Sequence, residues 1–303
     1  MTRSDMTVAQ PRRLWLRRAF LSICLSGGTI GAMSGCQDGI RQFSEAVRVA
    51  ADLRIQFNLA ANASIRAVMA TTTEASSGFA REAEQARQTI KTDAEALHHL
   101  LRELKYTKEA ELLAEFSRHF AEYEAIDRNI LELAVQNTNL KAQKLSYGPA
   151  QEAADAFRAA LETAAGTASP KSRCQVDSLV ARATLAVREI QVLHAPHIAE
   201  SSDAAMDSME KQMSARLSAA TGALDELSGL LQPAARSPLA VAKEALDRFK
   251  SVHDQIVMLS RRNSNVRSLE LALGRARSVT TACDAGIRDL QAALVNEGAR
   301  TTR

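Results

Sequence analysis

The scarcity of helix-breaking residues is the sequence feature that most restricts how this chain can fold. Only 13 glycines and 6 prolines occur in 303 residues. Their clusters leave four long stretches, at about 38–104, 108–165, 171–230 and 238–297. Apolar residues recur in these stretches at every third or fourth position, a spacing typical of amphipathic helices. In the second stretch they are Phe116, Tyr123, Ile126, Ile130, Leu133 and Leu140.

The joints between the stretches are short, as expected between antiparallel neighbours in a bundle. Aromatic residues make up only 4% of the chain, and alanine is abundant, which favours closely packed helices over sheets. The sequence therefore predicts an all-α fold, a long up-down-up-down antiparallel four-helix bundle over residues 36–303.

An internal repeat relates the second and fourth stretches. Shifting the chain by 126 residues aligns six identical residues without a gap, which indicates a duplicated helical hairpin. They are Ile130, Leu133, Asn137, Asn139, Leu145 and Gly148, aligned with Ile256, Leu259, Asn263, Asn265, Leu271 and Gly274.

The N-terminus has the pattern of an export signal. A basic region precedes an apolar stretch that is too short and too glycine-broken for a typical membrane span, so a retained anchor is the weaker alternative. Arg17 and Arg18 begin the run RRAFL, which resembles a twin-arginine export motif, although an ordinary basic region would also contain them. Residues 33–36, MSGC, resemble the lipobox of bacterial lipoproteins. This resemblance implies a signal peptide at 1–35 and lipidation of Cys36.

The resemblance also implies a location and a partner. A lipidated Cys36 would hold the protein in the membrane on the periplasmic side of the envelope. Gln37, where aspartate would favour inner-membrane retention, favours the outer membrane. Two further cysteines, Cys174 and Cys283, would remain in an oxidising compartment, where they could form one disulfide or stay as buried thiols.

The net charge does not indicate nucleic-acid binding. Residues 1–35 contain five of the 38 basic and one of the 35 acidic residues, so the remainder is close to neutral. Without a basic stripe or interleaved aromatic residues, we expect no nucleic-acid partner.

The stretch from Phe57 to Leu161 resembles the periplasmic four-helix-bundle sensor domain of methyl-accepting chemotaxis receptors. The resemblance rests on the runs FAEY and ILEL, which lead to NTN at 137–139. It implies a domain that binds a small ligand or a partner protein between helices, often as a dimer. The chain has no second apolar span and no methylation hairpin, so we expect an accessory sensor that reports to another membrane protein.

Two sets of polar residues are candidates for specific roles. Asn137 and Asn263 fall on the apolar seam, where a buried amide favours one helix register. His194 and His197 flank Pro196 at a level that a straight bundle would place beside Asn62 and Arg66, and this is the predicted binding cavity. Surface histidines on a bent bundle are the alternative.

Enzymatic and metal-dependent functions have little support in the sequence. Only one Glu-x-x-His motif, from Glu95 to His98, is present, whereas a di-iron bundle requires two. Met206, Met209 and Met213 could join His194 or His197 in a copper site, but their spacing also continues the leucine seam. We expect no enzyme and no cofactor. The alternatives to a sensor are a passive envelope scaffold and a periplasmic metal-binding protein.

Overall fold

The computed structural model describes residues 33–301, and their side chains from 38 to 300. The chain divides into a short first unit, residues 1–41, and a second unit, residues 42–303. Arg17 and Arg18 lie outside the described residues, and of Cys36 only the helical backbone is described. None of the described helices is long and apolar enough to span a membrane.

Residues 33–301 are almost entirely helical, and no strand occurs among them, which confirms the all-α prediction. The ten α-helices in this range are α1 (Met33–Met69), α2 (Thr73–Glu103), α3 (Thr107–Gln136), α4 (Thr138–Leu145), α5 (Gln151–Ala165), α6 (Arg173–Ala199), α7 (Asp203–Leu230), α8 (Arg236–Arg262), α9 (Ser264–Leu273) and α10 (Arg275–Thr301).

The first predicted helix, 38–104, is wrong because this stretch folds back on itself. The Thr72 side chain accepts a hydrogen bond from the Ala75 backbone nitrogen (3.1 Å) and so caps the start of α2. Gln42 near the start of α1 donates to Glu103 at the end of α2 (2.9 Å). Helices α1 and α2 are therefore an antiparallel hairpin.

The third predicted helix, 171–230, is also a hairpin. Ser202 accepts a hydrogen bond from the Ala205 backbone nitrogen (3.3 Å), which caps the start of α7. Arg182 on α6 forms an ion pair with Glu226 on α7, so the two helices run antiparallel.

The second and fourth predicted stretches keep their direction but are interrupted. Asn137 separates α3 from α4 and Asn263 separates α8 from α9, each in the left-handed conformation (φ 49° and 52°). A π-helical turn, Ser146–Ala150, contains Pro149 and joins α4 to α5. Gly274 separates α9 from α10.

The helices enclose two hydrophobic cores rather than one. The first bundle comprises α1, α2, α3 and α10 and contains the packed rings of Phe57, Phe116, Phe120 and Tyr123. The second bundle comprises α5, α6, α7 and α8. The chain passes from one bundle into the other along α3–α5 and returns along α8–α10.

These two passages meet at the starts of α4 and α9, which we call the crossing. The Thr138 nitrogen donates to Ser264 Oγ, and the Ser264 nitrogen donates to Thr138 Oγ1 (both 3.0 Å). The Asn139 nitrogen donates to Asn265 Oδ1 (3.2 Å), and the Asn265 nitrogen donates to Asn139 Oδ1 (3.1 Å). Each helix start is thus capped by the other, and the paired residues are related by the 126-residue repeat.

The side-chain amides at the crossing form further buried contacts. Asn265 Nδ2 donates to Asn137 Oδ1 (2.9 Å), and Asn139 Nδ2 donates to Asn263 Oδ1 (2.8 Å). Asn263 Nδ2 also donates to the Glu200 carbonyl (2.6 Å), whereas Asn137 Nδ2 has no partner within the described range. These contacts fit the predicted role of the seam asparagines in selecting the register.

Alanine substitutions at Asn137 and Asn263 should differ in their effect on stability, because the two asparagines make different numbers of hydrogen bonds. We expect Asn263→Ala to lower the free energy of unfolding by about 1 kcal/mol more than Asn137→Ala, because it removes one more buried hydrogen bond. Urea denaturation of both variants measures the difference. Asn→Gly variants at the same positions are the controls, since glycine adopts positive φ without strain. A larger loss for Asn137→Ala would contradict the described contacts.

The structure contradicts the disulfide considered for Cys174 and Cys283. Both cysteines are free: Cys174 is exposed at the start of α6 in the second bundle, and Cys283 is buried in α10 in the first. The sequence left a bridge open because two neighbouring long helices of a single bundle would bring both cysteines to the same end, whereas α6 and α10 belong to different bundles. Burial raises the pKa of the Cys283 thiol to about 12.

Candidate functional site

The first bundle contains a buried charge cluster. Asp127 on α3 is 1% exposed, and its carboxylate accepts hydrogen bonds from Ser64 Oγ on α1 and Arg87 Nη1 on α2. Arg87 is itself buried and also pairs with Glu84 one turn earlier. Three helices therefore meet at one ion pair inside an otherwise apolar core.

Burial and the neighbouring charges have opposing effects on the pKa values of Asp127 and Arg87. Burial raises the pKa of Asp127, while the hydrogen bond from Ser64 and the charge of Arg87 act to lower it. Burial acts to lower the pKa of Arg87, but the carboxylates of Glu84 and Asp127 outweigh burial and raise it.

Two donors in this cluster make no hydrogen bond of standard geometry to any described residue. They are Tyr123 Oη and Arg87 Nε, both of which are buried. Burial is the largest cause of the raised pKa of Tyr123, followed by the charge of Asp127, and a hydrogen-bond contact with the same carboxylate adds to it. The Tyr123 hydroxyl therefore stays protonated and able to donate. A buried donor without an acceptor costs about 1–3 kcal/mol, so an acceptor supplied by a ligand would be stabilising.

A cavity of about 320 Å³ opens beside these groups, between α1, α3 and the segment α9–α10. Its polar lining includes Ser64, Tyr123 and Asp127 on the inner side, and the exposed Arg277. Its apolar lining is formed by Ala61, Ile65, Ile130, Ala272, Leu273 and Ala276. A mainly apolar cavity with a few convergent polar groups is the usual form of a small-molecule site.

The second bundle contains a buried histidine cluster. His194 on α6 is fully buried, and its Nε2 lies 3.0 Å from Nδ1 of His253 on α8. Its Nδ1 lies 3.2 Å from Ser146 Oγ, in the π-helical turn. His194 therefore lies beside the π-helical turn that contains Pro149.

His197 lies in the next turn of α6 and is also fully buried. Its Nδ1 lies 2.8 Å from Ser260 Oγ, and its Nε2 lies 2.9 Å from Glu210 Oε1. Arg261 Nε donates to the same Glu210 oxygen (2.6 Å), and this contact is the largest cause of the lowered pKa of Glu210.

The histidine pair is held in its neutral form. Burial is the largest cause, and it lowers the pKa of His194 to about 3, with further contributions from His253 and His197. Burial also lowers the pKa of His253. Both imidazoles are therefore uncharged at neutral pH.

The two clusters occupy equivalent places in the repeat. Asp127 and His253 are 126 residues apart, the spacing that relates the paired residues of the crossing. Ser64 and His194 are 130 residues apart, as are the two helix caps Thr72 and Ser202. The same position thus holds a charged cluster in one bundle and a neutral histidine cluster in the other.

The structure does not assemble the predicted cavity. Asn62 and Arg66 are exposed on α1 in the first bundle, whereas His194 and His197 are buried in the second. Arg66 pairs with Glu82 on α2 (3.3 Å). The prediction failed because it treated 38–104 and 171–230 as continuous helices, which placed residues at the wrong levels.

Metal binding at His194 and His197 has no geometric support. All four ring nitrogens already have protein partners. In the part of the chain that the structure describes, no three side chains of histidine, cysteine, aspartate or glutamate are arranged to hold a metal ion. Met206 and Met213 are buried, and Met209 is partly buried against the second core.

Comparison with known proteins gives no functional assignment, so the assignment rests on the geometry of the site. No protein-family model matches this chain, and no curated protein is detectably similar to it. Sequence reasoning missed Arg87, Tyr123 and Asp127 as site residues. The available signal was a charged residue, Asp127, placed between Ile126 and Ile130 on an apolar seam.

Proposed function

We propose that this protein is a sensor module that binds a small ligand in the cavity of the first bundle. The observation that carries the proposal is the buried Tyr123 hydroxyl, which makes no hydrogen bond of standard geometry, beside a cavity of about 320 Å³. Few buried donors lack a partner in native proteins, and an acceptor on a ligand in this cavity would pair with the Tyr123 hydroxyl.

The position of the cavity supports a sensory role. Its walls include Ala272 and Leu273 at the end of α9 and Ala276 and Arg277 in the first turn of α10. Helix α9 begins at the crossing, where its first residues cap α4. A ligand that shifts α9 or α10 would therefore act directly on the contacts that join the two bundles.

The resemblances to a twin-arginine export motif, to a lipobox and to chemoreceptor sensor domains supply the cellular setting of the proposal. In this setting the signal peptide at 1–35 directs export, and lipidated Cys36 attaches the protein to the periplasmic side of the envelope, with the outer membrane favoured. The partner is then a second copy of the chain or a membrane sensor protein. No residue is given a catalytic role.

A thermal-shift screen of the purified protein tests ligand binding. The compounds are amino acids, organic acids, aromatic compounds and divalent metals. One class should raise the unfolding temperature, since a ligand at one hundred times its Kd stabilises the folded state by about 2.7 kcal/mol. We expect Ala61→Phe, which fills the cavity, to abolish the shift.

Arg66→Ala is the matched control, because Arg66 lies on the same helix but does not line the cavity. It should keep the shift. If no compound stabilises the protein, the passive scaffold becomes the better description. If a metal does so and a His194→Ala/His197→Ala variant loses the effect, the protein is a metal-binding protein instead.

A further inference from the structure

Resting on the proposed function, we propose that the first-bundle cavity binds a small organic acid with an apolar body and a hydroxyl group. The hydroxyl lies at the inner end, between Tyr123 and Asp127, and the carboxylate lies near Arg277 at the mouth.

The inner end of the cavity requires a ligand group that can both accept and donate a hydrogen bond. Tyr123 Oη is a buried donor that lies near the Asp127 carboxylate but makes no hydrogen bond of standard geometry to any described residue. Asp127 accepts from Ser64 and Arg87, and an ionised carboxylate has further acceptor sites. A ligand hydroxyl can accept from Tyr123 and donate to Asp127 at the same time.

Other polar groups satisfy this end less well. A ligand carboxylate would be repelled by the Asp127 carboxylate at close range. A ligand ammonium could donate to Asp127 but could not accept from Tyr123, because an ammonium group has only donors. The hydroxyl is thus the simplest group that satisfies both side chains.

The mouth of the cavity offers a positive charge. Arg277 is exposed in the first turn of α10, and no carboxylate forms an ion pair with it among the described residues. Its guanidinium is suited to a carboxylate, which it can bind through two hydrogen bonds. The anionic group of the ligand therefore points outward, away from Asp127.

The middle of the cavity accounts for the apolar body. Between the two polar ends the lining consists mainly of alanine, isoleucine and leucine side chains, together with Thr280 and Thr281. Burial of apolar ligand surface there contributes about 25 cal/mol per Å² before the costs of association. The volume of about 320 Å³ is at the lower end of the usual range for ligand sites, so the ligand is small.

Calorimetric titration of the purified protein with three related compounds tests this orientation. The probes are 4-hydroxyphenylacetate, phenylacetate without the hydroxyl, and tyramine with an amine in place of the carboxylate. We expect 4-hydroxyphenylacetate to bind at least tenfold more tightly than either of the others. This comparison uses only the unaltered protein.

Two variants test which side chain contacts each end of the ligand. Tyr123→Phe should reduce the preference for the hydroxylated acid at least fivefold, and it should fold, since Phe249 occupies the equivalent position of the repeat. Arg277→Gln should weaken both acids alike. Arg267→Gln is its control, because Arg267 is also exposed but does not line the cavity.

The outcomes separate this inference from the proposed function. Equal affinity for the two acids, or tighter binding of tyramine, would overturn the assigned ligand class. If none of the probes binds but another compound gives a shift that Ala61→Phe abolishes, the ligand class is wrong and the sensor proposal stands. If no compound of any class binds, both fail.

Discussion

Replacing Arg87 with leucine is expected to lower the free energy of unfolding by about 3–5 kcal/mol, because it leaves the buried Asp127 carboxylate without its cation. Leucine is a reasonable substitute in size, since Leu217 lies 130 residues further on, at the equivalent place in the second hairpin. Denaturation in urea at pH 7, followed by circular dichroism, measures the loss.

Two control variants show that the loss comes from the buried charge. Arg87→Leu/Asp127→Asn should recover part of the stability, because the remaining amide is neutral. Arg158→Leu breaks an exposed ion pair with Glu162, and such pairs contribute only about 0–1 kcal/mol. A loss below about 1 kcal/mol for Arg87→Leu would show that the Asp127 cluster is accessible to water.

Lowering the pH from 7 to 5 is expected to destabilise the protein by about 2 kcal/mol for each histidine that stays neutral in the folded state. In the folded protein the pKa of His194 is about 3, below the ordinary histidine value of 6.5. Below about pH 6.5 the unfolded chain takes up a proton that folded His194 does not. Stability therefore falls as the pH decreases, and this loss continues until about pH 3.

The histidine contribution is isolated by comparing the loss of stability between pH 7 and pH 5 in the unaltered protein and in a His194→Gln/His253→Gln variant. The variant should lose less stability between pH 7 and pH 5, as measured by urea denaturation at both values. The difference is needed because the raised pKa of Asp127 acts in the opposite direction. A His98→Gln/His99→Gln variant, which alters two exposed histidines, should keep the original pH dependence. Equal slopes in all three proteins would argue against neutral, buried imidazoles.

The helical content and the repeat could be predicted because they depend on local, periodic signals. Apolar spacing and the scarcity of glycine and proline were enough to predict an all-α fold. The 126-residue repeat was visible as aligned identities, and its paired residues meet at the crossing. The resemblance to a chemoreceptor domain and the export signal stay predictions.

The two hairpin turns could not be predicted from glycine and proline, because neither turn contains them. The turns at 70–72 and 200–202 depend on the Thr72 and Ser202 caps, and short polar residues of this kind also occur on exposed helix faces. Each missed turn placed half of a predicted helix at the wrong level. That error separated His194 from the residues that were expected to face it.

The charge cluster was missed for a different reason. A lone aspartate on an apolar seam suggests an unusual position, but its cation, Arg87, lies 40 residues away on another helix. Only the folded arrangement shows which of the many arginines pairs with it. Sequence periodicity gives the face of a helix but not the residue that lies opposite.

The two cores differ in how much of the chain must be synthesised before all their helices are present. The second core draws on one uninterrupted stretch, residues 142–256, whereas the first joins 46–134 to 276–294. During synthesis the second bundle has all its helices before α10 emerges, and α1, α2 and α3 must wait for their fourth helix. Helix α8 leads directly from the second bundle into α9 and α10. The first core therefore lacks its last helix until the whole of the second bundle has been synthesised.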